Sequence, residues 1–344
     1  METLVRFVKP DLNGLELSYV VDAIRHSQLT YRAAPHQRFE DALSKYLGKP
    51  ALACASGTAS LHLALLAAGI GAGREVIVPD LTFGSAASVV LACGARPVLV
   101  DIDPETFGLD PQAVRRAINR RTSAIMPTHL YGMECELPDL GILTIEDSCE
   151  AFGIVPPTAD YTCYSFFVNK PITTGEGGAV TGRKMDTLKK WRDGSFSSEY
   201  AFELPGLNYR MTALQAALGC AQLERADELI EKRLANSRRY AAELPGKGKW
   251  LFCVETPFPR GLQKHLESKG IESRMTFMPL HIHPPFRQEG KFLGAMKVWQ
   301  NYLSLPTGPH VTPQQQDLVI EAIDGYHNLC RTSDRSRREL GASL

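Results

Sequence analysis

At 344 residues and 44% hydrophobic content, the chain is long enough to bury a large core and to form one large and one smaller domain. Its 38 basic and 38 acidic residues cancel to zero formal net charge, so the balance favours neither nucleic acid nor an anionic membrane surface, and any phosphate site has to be local. Eight scattered cysteines without a Cys-x-x-Cys pair argue against zinc or dithiol chemistry, and neither a basic leader nor a membrane-length apolar run follows Met1, so the expectation is a cytoplasmic protein with reduced thiols.

Short apolar runs bounded by Gly, Pro or Asp read as buried strands at Ala51 to Cys54, Val76 to Val78, Pro97 to Val100, Ala124 to Met126, Leu143 to Ile145, Tyr161 to Phe166 and Ala179 to Thr181. Helical patterns lie between several of them, such as Ser60 to Ala68, with Leu61, Leu65 and Ala68 on one side, and Ala86 to Cys93. This alternation predicts an α/β domain with a largely parallel sheet. One connection is anomalous. The strands near Ile125 and Ile145 are separated by a stretch, Tyr131 to Gly141, with room for one helical turn at most, whereas parallel neighbours normally need a longer crossover. Either the crossover helix has been lost or these strands are not parallel neighbours.

From Thr212 to Leu244 an Ala-, Leu-, Glu- and Arg-rich stretch predicts one long helix, stopped by Pro245-Gly246. Residues 1–245 are thus expected to form the large domain with this connecting helix, and 246–330 the small domain, with a final helix from Pro313 to Leu329. The Arg-rich end, 331–344, is expected to be a disordered tail.

The run Ser165-Phe-Phe-Val-Asn-Lys170-Pro-Ile-Thr-Thr-Gly-Glu-Gly-Gly178 places one lysine between an aromatic strand end and a glycine-rich turn. A lysine so placed is suited to hold a carbonyl cofactor as an imine; the competing reading is a solvated turn lysine. Upstream, Leu143-Thr-Ile-Glu-Asp147 is an apolar strand ending in an acid, the partner a pyridinium nitrogen needs, or else the N-cap of a helix beginning at Ser148. Together the two suggest pyridoxal phosphate. Ser56-Gly57-Thr58 follows a strand and opens a helix, which suits a phosphate, although a helix cap beside a turn glycine would look the same. His281-Ile-His283 offers two histidines without a third metal ligand, so no metal is expected and a substrate-lining or loop role is preferred.

With these residues in place, the chain resembles the DegT/DnrJ/EryC1/StrS family of pyridoxal-phosphate-dependent sugar aminotransferases over most of its length. The matching segments are Cys54 to Leu65, Val78 to Phe83, Ala95 to Asp103, His129 to Gly132, Ile145 to Ala151, the Lys170 run and Gly206 to Met211. The resemblance implies a fold-type I homodimer with active sites at the subunit interface, and a small C-terminal α/β domain. Within it, Lys170 would hold the cofactor, Asp147 would face the pyridine nitrogen and Glu150 would lie near the ring hydroxyl. Gly57, Thr58 and Ser165 would hold the phosphate, Phe83 would stack on the ring, and Asn208 would reach the phosphate from the other subunit. Arg274 and His281 match a segment that lines the sugar-nucleotide site.

The family also contains dehydratases with histidine in place of the lysine, so Lys170 favours transamination. Glu150, where many members have Gln, together with Ser-Phe-Phe-x-Asn-Lys, is most similar to enzymes that aminate C4 of nucleotide-linked 4-keto-6-deoxy sugars, such as perosamine synthases, with glutamate as donor. The chain is short for the family at the crossover before Ile142, at Ile154 to Asp160 and in the small domain. Two alternatives stand beside the aminotransferase reading: a pyridoxal phosphate enzyme acting on another keto compound such as a cyclitol, and a non-catalytic regulator of the same fold. The presence of both Lys170 and Asp147 argues against the regulator.

Overall fold

The computed structural model describes residues 4–194 and 201–341. Helices α1 (Glu16–Arg25) and α2 (Ala34–Leu47) precede an alternating stretch of β1 (Ala51–Cys54), α3 (Gly57–Ala68), β2 (Glu75–Pro79), α4 (Ser85–Ala92), β3 (Arg96–Val100), α5 (Pro111–Ala117) and β4 (Thr122–Ile125). There follow β5 (Ile145–Asp147), β6 (Tyr161–Ser165), β7 (Gly178–Gly182), α6 (Met185–Asp193), α7 (Ala213–Glu224) and α8 (Ala226–Glu243). The C-terminal part holds β8 (Gly246–Lys247), β9 (Phe252–Glu255), α9 (Pro259–Ser268), β10 (Arg274–Met275), α10 (Leu293–Asn301), β11 (Tyr302–Leu305) and α11 (Pro313–Gly341).

Strands β3-β2-β4 form a parallel group and β1-β7-β6-β5 a mixed one, and parallel bridges Ile125↔Thr144 and Thr128↔Asp147 join them edge to edge. The result is one twisted sheet in the order β3-β2-β4-β5-β6-β7-β1. Only β7 runs against the rest, pairing antiparallel with both β1 and β6. Every strand expected from the apolar runs is present, because strands covered by helices on both faces must be apolar along their whole length. The C-terminal sheet, β10-β11-β9-β8, is antiparallel and has its own core of Leu262, Leu266, Leu303, Val319 and Ile323, joined by Val5 from the start of the chain.

The anomalous connection resolves in favour of a lost helix. β4 and β5 are parallel neighbours, with the Ile125 N–H donating to Leu143 O at 2.9 Å, and only a 3-10 turn at Leu130–Gly132 interrupts the extended segment between them. Cys135, Leu137, Leu140 and Ile142 of that segment pack against Ile77, Val100, Val114 and Ile125, replacing part of the apolar cover a helix would give. A groove of about 780 Å³ remains beside it.

Two expectations for the helices need correction. The stretch from Thr212 is two helices, since at Arg225 the backbone leaves α geometry (φ −112°, ψ 11°) and the guanidinium pairs with Asp11, Glu16 and Glu228 at 3.3, 3.4 and 3.2 Å. The break separates α7, packed on α1 and α2, from α8, which runs to the C-terminal sheet. The final helix, expected to end at Leu329, is assigned as far as Gly341. Between Gly325 and Gly341 there is neither Pro nor Gly, and extending an existing helix avoids the cost of nucleating one.

Next to the groove, Glu146 is 5% exposed and accepts from the Thr158 and Thr162 hydroxyls at 2.6 and 2.8 Å, with His129 Nε2 at 3.9 Å. Burial alone would raise its pKa, but these partners outweigh burial and hold it down at about 2. A carboxylate with a depressed folded-state pKa contributes stability that is complete above its ordinary pKa near 4.5 and is lost as pH falls towards 2. Glu146→Gln is therefore expected to unfold at lower urea than the parent at pH 7, by on the order of 1–3 kcal/mol. That difference should shrink between pH 5 and pH 3. A constant gap across this range would show that the charge of Glu146 contributes nothing.

Candidate active site

In a parallel sheet all carboxyl ends lie on one edge, and loops leaving that edge converge. Ser56-Gly57 leaves β1, Thr82-Phe83 follows β2, Thr128 follows β4, Asp147 ends β5 and Ser165 ends β6. All of these line one cavity of about 420 Å³. Its opposite wall comes from the C-terminal part, through Trp250, Arg274, Phe277 and Ser304. Of the residues singled out from the sequence, Gly57, Thr58, Phe83, Asp147, Glu150, Ser165, Lys170 and Arg274 meet here.

The floor is the N-terminus of α3. The Ser56 hydroxyl caps it by accepting from the Ala59 N–H at 3.1 Å, so the capping reading of this residue holds. Gly57 and Thr58 occupy the first two helical positions, whose N–H groups have no partner within a helix, and the helix dipole adds positive character there. A Cβ on Gly57 would lie 2.7 Å from Ser165 Cβ and 2.8 Å from Cys149 Sγ, so only glycine lets the helix end come this close to β6. Capping and anion binding are thus compatible in one turn.

Lys170 is not a solvated turn lysine. Its side chain is 12% exposed, its Nζ lies 3.3 Å from Glu150 Oε1 and 4.5 Å from the centre of the Trp250 ring. Glu150 also accepts from the Tyr131 N–H at 2.9 Å; burial raises its pKa, with Lys170 pulling the other way and Asp147 adding to the rise. Asp147, 4% exposed, accepts from the Cys149 N–H at 3.1 Å. A turn and not a helix follows it, which removes the helix-cap alternative. Beside it, Thr128 Oγ1 and Thr82 Oγ1 are buried without a hydrogen-bond partner among the described residues. Orphaned hydroxyls, a helix N-terminus, a buried acid and a buried lysine around one cavity suit a phosphorylated pyridine aldehyde.

Two residues stand apart. Asn208 does not line this cavity, and its Oδ1 accepts from Arg210 Nε at 2.7 Å, which leaves its amide nitrogen as the donor. His281 also lies outside the lining. Its Nδ1 is 2.6 Å from Asp80 Oδ2, its N–H donates to Asp80 Oδ1 at 2.8 Å, and its ring stacks on Phe292 at 4.5 Å. It ties the C-terminal part to the loop that carries Thr82 and Phe83. Among the described residues, no group of three or more His, Cys, Asp or Glu side chains is placed to hold a metal.

The sequence reading missed the aromatic wall. Tyr131 stacks on Phe277 at 5.8 Å and its hydroxyl accepts from the Phe277 N–H at 3.1 Å, while its own backbone is left-handed (φ 54°, ψ 26°). That conformation costs a non-glycine residue about 1–2 kcal/mol. It lets the Tyr131 carbonyl accept from both Lys249 and Trp250 N–H at 2.9 Å, joining the shortened crossover to the opposite wall. No local pattern announces such a contact, because the partners are more than a hundred residues apart.

A family model described as the DegT/DnrJ/EryC1/StrS aminotransferase family matches residues 10–324. The chain is 39% identical to a GDP-perosamine synthase of Caulobacter vibrioides over 92% of its own length and 96% of that protein, and 32% identical to one from Vibrio cholerae over 94% and 100%. Among solved structures, the PLP-form of a putative sugar aminotransferase, Spr1654 from Streptococcus pneumoniae, superimposes with a TM-score of 0.85 at 26% identity, covering 92% of this chain and 97% of that one. The chain belongs to the DegT/DnrJ/EryC1/StrS aminotransferase family, has the fold-type I architecture and uses pyridoxal phosphate.

Proposed function

We propose that this aminotransferase moves an amino group from L-glutamate onto C4 of a nucleotide-linked 4-keto-6-deoxy sugar. The observation that carries the reading is the convergence of Lys170, Glu150, Asp147 and the α3 N-terminus on one cavity, in a chain whose 39%-identical relative is a GDP-perosamine synthase. The cofactor, when bound, supplies an electron-withdrawing ring conjugated to the reacting nitrogen.

The protein's own residues do the rest. With the cofactor bound, Gly57, Thr58 and Ser165 would hold its phosphate, the helix end favouring that charge. Asp147 would face its ring nitrogen and keep it protonated, and Phe83 would lie at the ring face. Lys170 would anchor it and, as a free amine, would be the base that moves a proton at the substrate carbon. Glu150, with its pKa raised by burial, is placed 3.3 Å away to share that proton. Tyr131, Trp250 and Phe277 keep water from the reacting atoms. Arg274, with its guanidinium 4.8 Å from the Phe7 ring centre, offers a positive charge at the same cavity for an anionic substrate.

The site is read as shared in a homodimer, with Asn208 of one protomer donating to the phosphate bound by its partner. Asn208 is exposed and lies outside the lining of its own cavity, which is compatible with this reading. The substrate test is incubation of the loaded enzyme with glutamate and a panel of GDP-, UDP- and dTDP-linked 3-keto and 4-keto sugars, read by mass spectrometry. Amination of a GDP-linked 4-keto sugar in preference to the others is expected. Turnover of 3-keto sugars alone would overturn the C4 assignment, and no turnover with any acceptor would overturn the sugar aminotransferase reading.

A further inference from the structure

We infer that Arg233, on α8, is a positioning residue that fixes the turn carrying Lys170. Its Nη2 donates to the carbonyl oxygens of both Asn169 and Lys170, each at 3.2 Å. Trp250 Nε1 donates to the same Asn169 carbonyl, also at 3.2 Å, while its ring underlies the lysine. The turn closes on itself by one bond, from the Lys170 N–H to Phe167 O at 2.9 Å. Two donors from outside the turn therefore set the orientation of its last two peptide planes, and these set the direction in which the Lys170 side chain leaves the backbone.

The energetics point the same way. Arg233 is 6% exposed and pairs with no carboxylate among the described residues, and its Nε has no hydrogen-bond partner among them. A buried guanidinium without an acid is costly, and an apolar residue of similar volume would pack more stably on a helix face. Burial pulls its pKa down to about 10, which still leaves it cationic at neutral pH. A site that keeps an expensive charge where packing favours a hydrocarbon gains something other than stability, and here the gain is two oriented carbonyls.

This inference rests on Lys170 being the cofactor lysine, and the experiment separates the two. Arg233→Met, Arg233→Lys and Trp250→Phe are compared with the parent and with Lys170→Ala in the full-length protein. Three quantities are read: amide hydrogen exchange over residues 167–172, the rate at which added pyridoxal phosphate acquires its lysine-bound visible absorption, and kcat and KM separately. Arg233→Met is expected to speed exchange in that segment about tenfold, to slow loading and to lower kcat by about 10- to 100-fold, since a displacement of about 1 Å has effects of that size. KM should stay within about threefold of the parent, with Arg233→Lys intermediate. Trp250→Phe, which removes the second donor to the Asn169 carbonyl, should show the same local exchange signature and serves if Arg233→Met does not fold. Parent-like exchange and kcat in both variants, or a loss of kcat that only follows the fraction of unfolded protein, would overturn the positioning role. Lysine-bound absorption persisting in Lys170→Ala would instead overturn the reading of the lysine.

Discussion

Replacing Lys170 with alanine is expected to lower turnover by more than about 10³-fold while the protein stays folded, because the residue is proposed to serve twice, as the anchor of the cofactor and as the base that moves the proton. Its contribution to the fold is limited to the Glu150 contact at 3.3 Å and the Trp250 ring at 4.5 Å. Removing the cation leaves Glu150 buried beside Asp147, with the Tyr131 N–H at 2.9 Å as its remaining donor among the described residues. Its pKa then rises further, which lessens the cost of the unpaired carboxyl in the variant. Near-parent turnover in Lys170→Ala would remove the residue from the mechanism.

The same variant tests the shared site. Asn208 has its oxygen committed to Arg210, so what it presents is a donor, and Asn208→Asp replaces that donor with a charge that repels a phosphate. Each single variant should be inactive. When the two are mixed under conditions that exchange subunits, heterodimers carry one site with both lesions and one with neither, and partial activity should return. Heterodimers without activity, or an active protein that sediments as a monomer, would end the shared-site reading.

Most of the sheet was legible because its strands are buried on both faces and so appear as unbroken apolar runs. The cavity-lining residues were legible for a related reason: they sit at or just past the ends of those runs, at Cys54, Val78, Asp147 and Ser165, and a parallel sheet brings such ends together. What the sequence concealed was tertiary. Arg225 reads as one more helix-forming residue, and only its pairing with Asp11 and Glu16 marks the break there. Tyr131 carries no sign of its left-handed backbone, although Gly132 beside it, where a Cβ would meet Trp250 N at 2.7 Å, marks a close approach. His281 matched a substrate-lining segment by position, yet the fold commits its ring to Asp80, a pairing across 201 residues that no local pattern encodes. The lost crossover helix was visible as missing length. That apolar side chains from an extended segment would take its place was not.

Asp147→Asn should disable the enzyme by a different route from Lys170→Ala. The exchange is nearly isosteric, and an amide oxygen can still accept from the Cys149 N–H as Asp147 Oδ1 does, so neither the turn after β5 nor the sheet pairing is disturbed. The cofactor should bind and still acquire its lysine-bound visible absorption. What is lost is the carboxylate proposed to face the pyridine nitrogen, and losing one preorganised electrostatic partner of this kind lowers kcat by about 10²–10³-fold. The effect on Glu150 has the opposite sign from that in the lysine variant. Asp147 is one of the groups raising the Glu150 pKa, so neutralising it lets Glu150 ionise more readily and strengthens its pairing with Lys170. A fall in kcat with cofactor affinity retained therefore traces to the pyridine nitrogen and not to a collapsed lysine-carboxylate pair. Turnover near the parent's would instead show that Asp147 does no more than shape the turn to Cys149.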